Sequence, residues 1–430
     1  AQKFSTREKV FKEIKKLPLE YSAKIKPSAF NYMEHKKNLY VVYNTLYCST
    51  ALLNRTEWQL LQNPNGEEKT LRELYAAGFL VPKNVNEFAK LQNYKTKIRK
   101  LWLKDAPLGL TIATTTKCNA RCAYCFENNA TREDVADGVE EQIKKFTDKH
   151  IGKNKQLNIT WFGGEPLLNT AMIDRLTKYF LKKKYKLSAG IVTNGSLLTE
   201  KMLKTDFPKW KIKNMQITLD GTAKNYAKIK NYIAPELGNL DKVLKNIDLA
   251  DKYKINTNIR LNVNKKNVRD LLKLAEQLDK RYADSKYVKW YMASLKGTES
   301  DYATEKELLS VTEKFMALNP KQISIKNTRG LPKIEFCMAE MPGAYCIDVN
   351  GDLKICWEDF TFSGNDIGNV HKFCSGKDKR NKQSKLQKKC EQCIWLPMCG
   401  GGCMALRTKN SPGCPTTKYA MVASLRQLIK

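Results

Sequence analysis

Histidine is almost missing from this chain of 430 residues, which holds three in all. Imidazole can carry little of any proton transfer, so acid–base work falls to carboxylates, Tyr or Lys, and no single general base stands out. Long apolar runs are missing too. No stretch approaches the roughly 18 consecutive apolar residues that a membrane-spanning helix requires, and no membrane partner is expected. The opening residues, AQKFSTREKVFKEIKK, are charged and amphipathic and lack an apolar core followed by a cleavage site, so a cytoplasmic protein is expected. Acidic side chains are scarce relative to basic ones: 44 Asp and Glu against 76 Lys and Arg give a formal charge of +32. That excess attracts acidic chains. No compact basic stripe or nucleic-acid motif accompanies it, however, and lysine far outnumbers arginine, as on solvated faces. Nucleic acid is therefore not an expected partner.

What the chain does have is cysteine. Thirteen cysteines without a secretory signal argue for metal or redox chemistry rather than a disulfide framework. One is Cys48, three lie at 118–125, and the rest fall between 337 and 414. Two metal-bearing regions are implied.

The length is too great for one ordinary core. Residues 1–105 read as short strands with a turn at His35–Asn38, two short helices, the strand FLVP and a polar helix over 86–103. Thr56 and Gln59 form a candidate capping box for the first helix, and Gly78 a C-terminal cap for the second. The order gives a winged-helix-like outline. Residues 106–330 then alternate strand and helix, with strands expected at 108–116, 157–163, 189–195, 215–221, 257–264 and 288–295. Strict alternation implies parallel pairing, and six units imply an α/β fold built as a partial (β/α)6 TIM-type barrel with function at the C-terminal strand ends. Residues 331–430 lose the alternation and become rich in Cys and Gly. Metal ligation, more than packing, is expected to hold them.

Cys118, Cys122 and Cys125 have the spacing C-x3-C-x2-C directly after the first barrel strand. Three thiolates there can hold three irons of a [4Fe–4S] cluster and leave the fourth iron open. Structural zinc, the competing metal, wants four protein ligands. With Tyr124 just before the last cysteine, the loop resembles the cluster signature of the radical S-adenosylmethionine superfamily. The resemblance implies that S-adenosylmethionine chelates the open iron and yields a 5′-deoxyadenosyl radical, with the electron from a flavodoxin- or ferredoxin-type donor. It assigns Gly163, Gly164 and Glu165 of FGGEP to the methionine amino group. By the same resemblance Tyr124, Thr193, Asn194, Thr218, Asp220 and Arg260 face or neighbour the cofactor.

The C-terminal cysteines, with Gly351-x4-Cys356 closing their first group, resemble a SPASM domain, which implies two auxiliary [4Fe–4S] clusters, three clusters in all. One set would be Cys337, Cys346, Cys356 and Cys403; the other Cys390, Cys393, Cys399 and Cys414. Eight cysteines for eight ligands would leave both clusters closed, suited to electron transfer and stapling. Cys374 and Cys48 are left as ordinary cysteines, with Cys374 as an alternative ligand. The N-terminal stretches YNTLYCSTALLN, EWQLL and LYAAGFLV resemble the peptide-recognition element of maturases of ribosomally made peptides, in which a leader peptide adds as a strand to a sheet edge. The expected activity is therefore cross-linking of a precursor peptide through a thioether or carbon–carbon bond. Peptide epimerisation is one alternative. Formylglycine formation of the anaerobic sulfatase-maturing type is another, but that group has Asp directly after the last cysteine of the first SPASM group, where this chain has Trp357. From another class, an electron-transfer or nucleic-acid-binding iron–sulfur protein would not cleave S-adenosylmethionine.

Overall fold

The computed structural model describes residues 24–128, 130–264, 266–294, 304–318, 337–341, 343–360, 366–371, 386–404, 414 and 416–429. They fall into two compact units, one from Ala1–Lys104, Leu308–Phe336 and Lys385–Lys430, the other from Asp105–Glu307 and Cys337–Ser384.

The first unit begins with β1 (Ile25–Pro27), then the meander β2 (Asn31–Lys36), β3 (Leu39–Asn44) and β4 (Ser49–Leu53). Lys37 takes the left-handed backbone that a two-residue hairpin connection needs. Asn44, fully buried at the end of β3, ties the unit together. Its amide nitrogen donates to Ser28 Oγ (2.9 Å), Asn31 Oδ1 (2.8 Å) and the Gly78 carbonyl (3.0 Å), and its oxygen accepts from the Leu46 and Tyr47 amides. Helix α1 (Arg55–Gln62) is capped by Asn54 and Glu57, whose side chains and main-chain amides bond reciprocally at 3.0 and 2.8 Å. The box thus lies two residues before the expected Thr56–Gln59 pair, because extended Asn54 already serves the first free N–H groups and Thr56 becomes part of the helix. Helix α2 (Glu68–Ala76) ends as expected, with Gly78 left-handed and Phe79 N–H donating to the Leu74 carbonyl at 2.9 Å. Strand β5 (Leu80–Pro82) pairs antiparallel with β1, and α3 (Glu87–Asp105) leads out.

The second unit carries the alternation read from the sequence. β6 (Leu108–Ala113), β7 (Gln156–Phe162), β8 (Lys186–Thr193), β9 (Ile212–Leu219), β10 (Asn256–Val263) and β11 (Val288–Ser294) pair in sequence order, each parallel to the next. Helices α4 (Val139–His150), α5 (Thr170–Lys182), α6 (Ala223–Lys230), α7 (Leu240–Lys252) and α8 (Val268–Arg281) lie between them in the chain. The sheet stays open, with β11 at one edge. At the other edge β12 (Ala344–Ile347) adds parallel to β6, followed by antiparallel β13 (Asp352–Lys354) and β14 (Gly368–Asn369). The two-residue strand period sorts the side chains. Ile217 and Leu219 of β9 and Ile259 and Leu261 of β10 are fully buried, whereas alternate Gln216, Thr218, Asn258 and Arg260 line a cavity.

The chain then returns to the first unit from Leu308, within α9 (Glu305–Leu318), and later with α10 (Thr416–Gln427). Strand β3 explains why this return matters. Val42 packs with α1 and α2 through Leu61, Leu71 and Leu74, while Val41 and Tyr43 point to the opposite face, where Trp395, Met421, Val422 and Leu425 cover them. A strand apolar on both faces requires cover on both. Among the described residues no helix is long and apolar enough to cross a membrane.

A Cβ at Gly78 would sit 2.5 Å from the Tyr47 ring, on a backbone with φ of +80°. Gly78→Ala should therefore destabilise the first unit by about 2 kcal/mol or more, read as a lower urea midpoint at unchanged slope.

Candidate active site

The loop after β6 carries Cys118, Cys122 and Cys125, each partly buried. Main-chain bonds grip it from two sides. On the first, the Gly164 and Glu165 amides donate to the Thr115 and Lys117 carbonyls, both at 2.9 Å. Both glycines are required sterically. A Cβ at Gly163 would lie 2.2 Å from the Thr115 oxygen, and one at Gly164 2.4 Å from the Lys117 oxygen. The close approach these glycines allow is thus made to the cysteine loop itself. On the second side, the last turn of α6 and the residues after it accept the loop: Arg121 N–H donates to the Lys230 and Asn231 carbonyls (3.0 Å each) and Ala123 N–H to Ile229 (3.1 Å). Ile233 N–H donates back to the Asn119 carbonyl at 2.9 Å, and Ala120 and Tyr232 form an antiparallel bridge. Helix-end carbonyls without intrahelical partners find them in the loop.

Glu165, Thr193 and Asn194, each singled out in the sequence, come together. The Glu165 carboxylate has no solvent exposure and accepts from Thr193 Oγ1 (2.7 Å), the Asn194 amide (2.8 Å) and the Leu167 amide (3.1 Å). Burial raises its pKa, and those bonds pull the other way. Asn194 also donates to Asn119 Oδ1 (2.8 Å), Asn119 to Ser196 Oγ (2.9 Å), and Ser196 Oγ back to Asn194 Oδ1 (2.6 Å). This closed ring joins the cysteine loop to the end of β8. Asn119, inside the cysteine loop, and Ser196, two residues after Asn194, were missed in the sequence.

Tyr124 and Asp220 meet on the other side of the loop. Tyr124 Oη donates to Asp220 Oδ2 at 2.8 Å; Lys230 Nζ donates to Tyr124 Oη at 3.2 Å and pairs with Asp220 at 3.0 Å. Asn262 reaches the other Asp220 oxygen at 3.3 Å, and Arg260 Nε donates to Asn262 Oδ1 at 2.9 Å. Lys230 and Asn262 had no motif to reveal them. Tyr124 is pushed well up by burial, so its hydroxyl stays a donor.

The donor set suits a cluster. Burial pushes the Cys118 thiol up to about 12 and Cys125 to about 11, and raises Cys122 too, so the loop does not hold thiolates by itself. Metal binding must draw the protons off. Among the described residues no three Cys, His, Asp or Glu side chains converge on a single ion; a cluster instead asks each thiolate for a separate iron.

Beside the loop a cavity of about 370 Å³ occupies the barrel interior. Tyr124, Thr218 and Arg260 line it, with Gln216, Asn258 and Glu358 among its polar groups. Its aromatic wall is Phe126 and Trp357, each stacked on Phe162 with interplanar angles of 26° and 10°. Barrel interiors are ordinarily filled by branched apolar side chains; amides and a glycine, Gly190, leave this one open.

The C-terminal cysteines divide between the units. Cys337, Cys346 and Cys356 belong with the barrel, Cys346 fully buried on β12 opposite Thr111 of β6. Cys390, Cys393, Cys399, Cys403 and Cys414 belong to the first unit. Cys390 packs with Phe30, Leu46 and Val81, and Gly400, Gly401 and Gly402, all left-handed, turn the chain from Cys399 to Cys403. Cys374 lies outside the described residues.

A model of the radical SAM superfamily matches residues 112–278. GTP 3′,8-cyclase of Clostridium perfringens is 30% identical over 259 residues, covering 56% of this chain and 75% of that protein. The chain belongs to the radical SAM superfamily. The cysteine-type anaerobic sulfatase-maturating enzyme of Clostridium novyi is 25% identical over 69% of this chain and 88% of its own length. The radical SAM cyclopropyl synthase TigE of Paramaledivibacter caminithermalis is 27% identical over 39% of each chain, so the chain spans well under half of that relative. Among solved structures, native anSMEcpe with bound AdoMet superposes with a TM-score of 0.59 at 20% identity, over 74% of this chain and 96% of that one, and shares the fold. The same protein is also solved with AdoMet and a Cp18Cys peptide.

Replacing Gly164 by Ala forces the Lys117 carbonyl away. The expected result is about a tenfold or greater loss of S-adenosylmethionine cleavage, with the circular dichroism of the folded chain unchanged.

Proposed function

We propose that this enzyme modifies a ribosomally made precursor peptide, forming a thioether or carbon–carbon cross-link. The observation that carries the reading is the barrel cavity, into which the cysteine loop contributes Tyr124 and the turn after Cys356 contributes Trp357 and Glu358. Cys118, Cys122 and Cys125 would hold a [4Fe–4S] cluster, and Glu165, Thr193, Asn194, Thr218, Asp220 and Arg260 would hold or neighbour S-adenosylmethionine. When bound, the two supply hydrogen-atom abstraction. The chain's own residues position the peptide. Gln216, Asn258 and Asn262 offer amides suited to main-chain donors and acceptors, and the aromatic wall excludes water from the reacting carbon.

The SPASM reading assigns Cys337, Cys346, Cys356 and Cys403 to one auxiliary cluster and Cys390, Cys393, Cys399 and Cys414 to the other. A flavodoxin or ferredoxin would deliver the electron. In the N-terminal module, the leader peptide would add along β4. Among the described residues no strand pairs with the outer edge of β4, and Leu52 on it is 52% exposed. An open edge of this kind is a template for another strand. The charge of +32 would draw an acidic leader towards it.

Glu358 favours a second reading, formylglycine formation. It places a carboxylate in the cavity although Trp357 occupies the position where sulfatase-maturing enzymes have Asp. One experiment separates the readings: anaerobic incubation with reductant, S-adenosylmethionine and the peptide encoded beside the gene, read by mass. Loss of two hydrogens per link, with linked fragments in tandem spectra, is expected. Conversion of a Cys or Ser to an aldehyde would favour formylglycine, and unchanged mass with inverted stereochemistry an epimerase.

Two further outcomes are expected. Reconstitution should load about twelve irons per chain; about four would refute both auxiliary clusters. Leu52→Asp should weaken leader binding by about tenfold in fluorescence anisotropy while leaving peptide-independent cleavage of S-adenosylmethionine intact.

A further inference from the structure

Of the two grips on the cysteine loop, the one formed by the end of α6 answers to no motif in the sequence. Asn231, left-handed at φ 46° and ψ 62°, ends α6 and turns the chain so that residues after it run antiparallel to the loop. Tyr232 is fixed there by a 2.9 Å hydroxyl contact with Tyr226 and by Gly238, where a Cβ would lie 2.3 Å from the Tyr232 ring. The cradle is therefore held by its own packing.

Within it, Lys230 touches the loop twice. Its carbonyl accepts the Arg121 amide between Cys118 and Cys122, and its ammonium donates to the Tyr124 hydroxyl between Cys122 and Cys125. The side chain is 4% exposed and its partner Asp220 1%. Burying such a pair costs more solvation than an apolar pair of the same size, so stability alone does not account for it. A cluster gains negative charge on reduction, and a buried cation beside its ligands favours the reduced form.

We propose that Lys230 is a positioning residue for the radical cluster: through Tyr124 it sets the second half of the cysteine loop, and its charge, held in place by Asp220, stabilises the cluster's reduced state. The proposal rests on the loop holding that cluster. It concerns Lys230, Tyr124 and Asp220, and no other step of the reaction.

The test uses the full chain, reconstituted anaerobically and poised at one fixed potential. The readout is the part of the electron paramagnetic resonance signal that changes when S-adenosylmethionine is added, since only a cluster with an open iron responds. Lys230→Met should lose about tenfold of that signal per bound iron, and Lys230→Arg should recover most of it. Tyr124→Phe, which keeps the ring and removes only the hydroxyl, should shift the signal and reduce it partway. A Lys230→Met protein with the parent's signal overturns the proposal, and so does Lys230→Arg behaving like Lys230→Met. Should Lys230→Met fail to fold, Tyr124→Phe decides alone: an unchanged signal means that Lys230 merely neutralises Asp220. A parent protein with no responsive signal would overturn the cluster assignment along with this proposal, whereas a normal parent with unchanged variants overturns this proposal only.

Discussion

Everything at the site depends on main-chain hydrogen bonds to the loop that carries Cys118, Cys122 and Cys125. Much of the anchoring of this loop comes from outside it. The Gly164 and Glu165 amides take the carbonyls at the start of the loop, and the end of α6 takes the amides in its middle. The first grip works because no Cβ intrudes at Gly163 or Gly164. The second works because a helix end leaves carbonyls with nowhere else to turn. Between them the two grips set the loop's path.

The same economy of side chains shapes the barrel. Parallel strands fix which residues point inwards, and on β9 and β10 those residues are polar: Gln216, Thr218, Asn258 and Arg260. Hydrophobic packing is then left to the outward residues, such as Ile217, Ile259 and Leu261, which are completely buried. The interior thereby presents polar groups to whatever enters the cavity. Arg260 of this lining is linked to Asp220 through Asn262.

Much of this was legible in the sequence, for physical reasons that differ residue by residue. The barrel strands announced themselves by regular alternation with helices, and each lies within a few residues of its expected place. Glu165 and the Thr193–Asn194 pair could be grouped because they follow the ends of the neighbouring strands β7 and β8, and parallel strand ends converge. Lys230 could not be found, because a lysine in a lysine-rich helix looks like every solvated one until the fold buries it. Asn262 sits on a strand among other amides and offers no spacing signal. Asn54 took the capping role expected of Thr56 because competition among adjacent capping residues is settled by backbone geometry. Strand β3 did carry a clue to its second cover, since LYVVYN is apolar on both faces, but which distant segment supplies that cover is a tertiary fact.

The path of the chain between the units has a consequence for biosynthesis. The barrel's residues, Asp105–Glu307 and Cys337–Ser384, are complete before Lys385–Lys430 leave the ribosome, whereas the first unit needs that last stretch to cover Val41 and Tyr43. Domains fold as their residues become available. The barrel can therefore fold while the N-terminal sheet still shows an uncovered face.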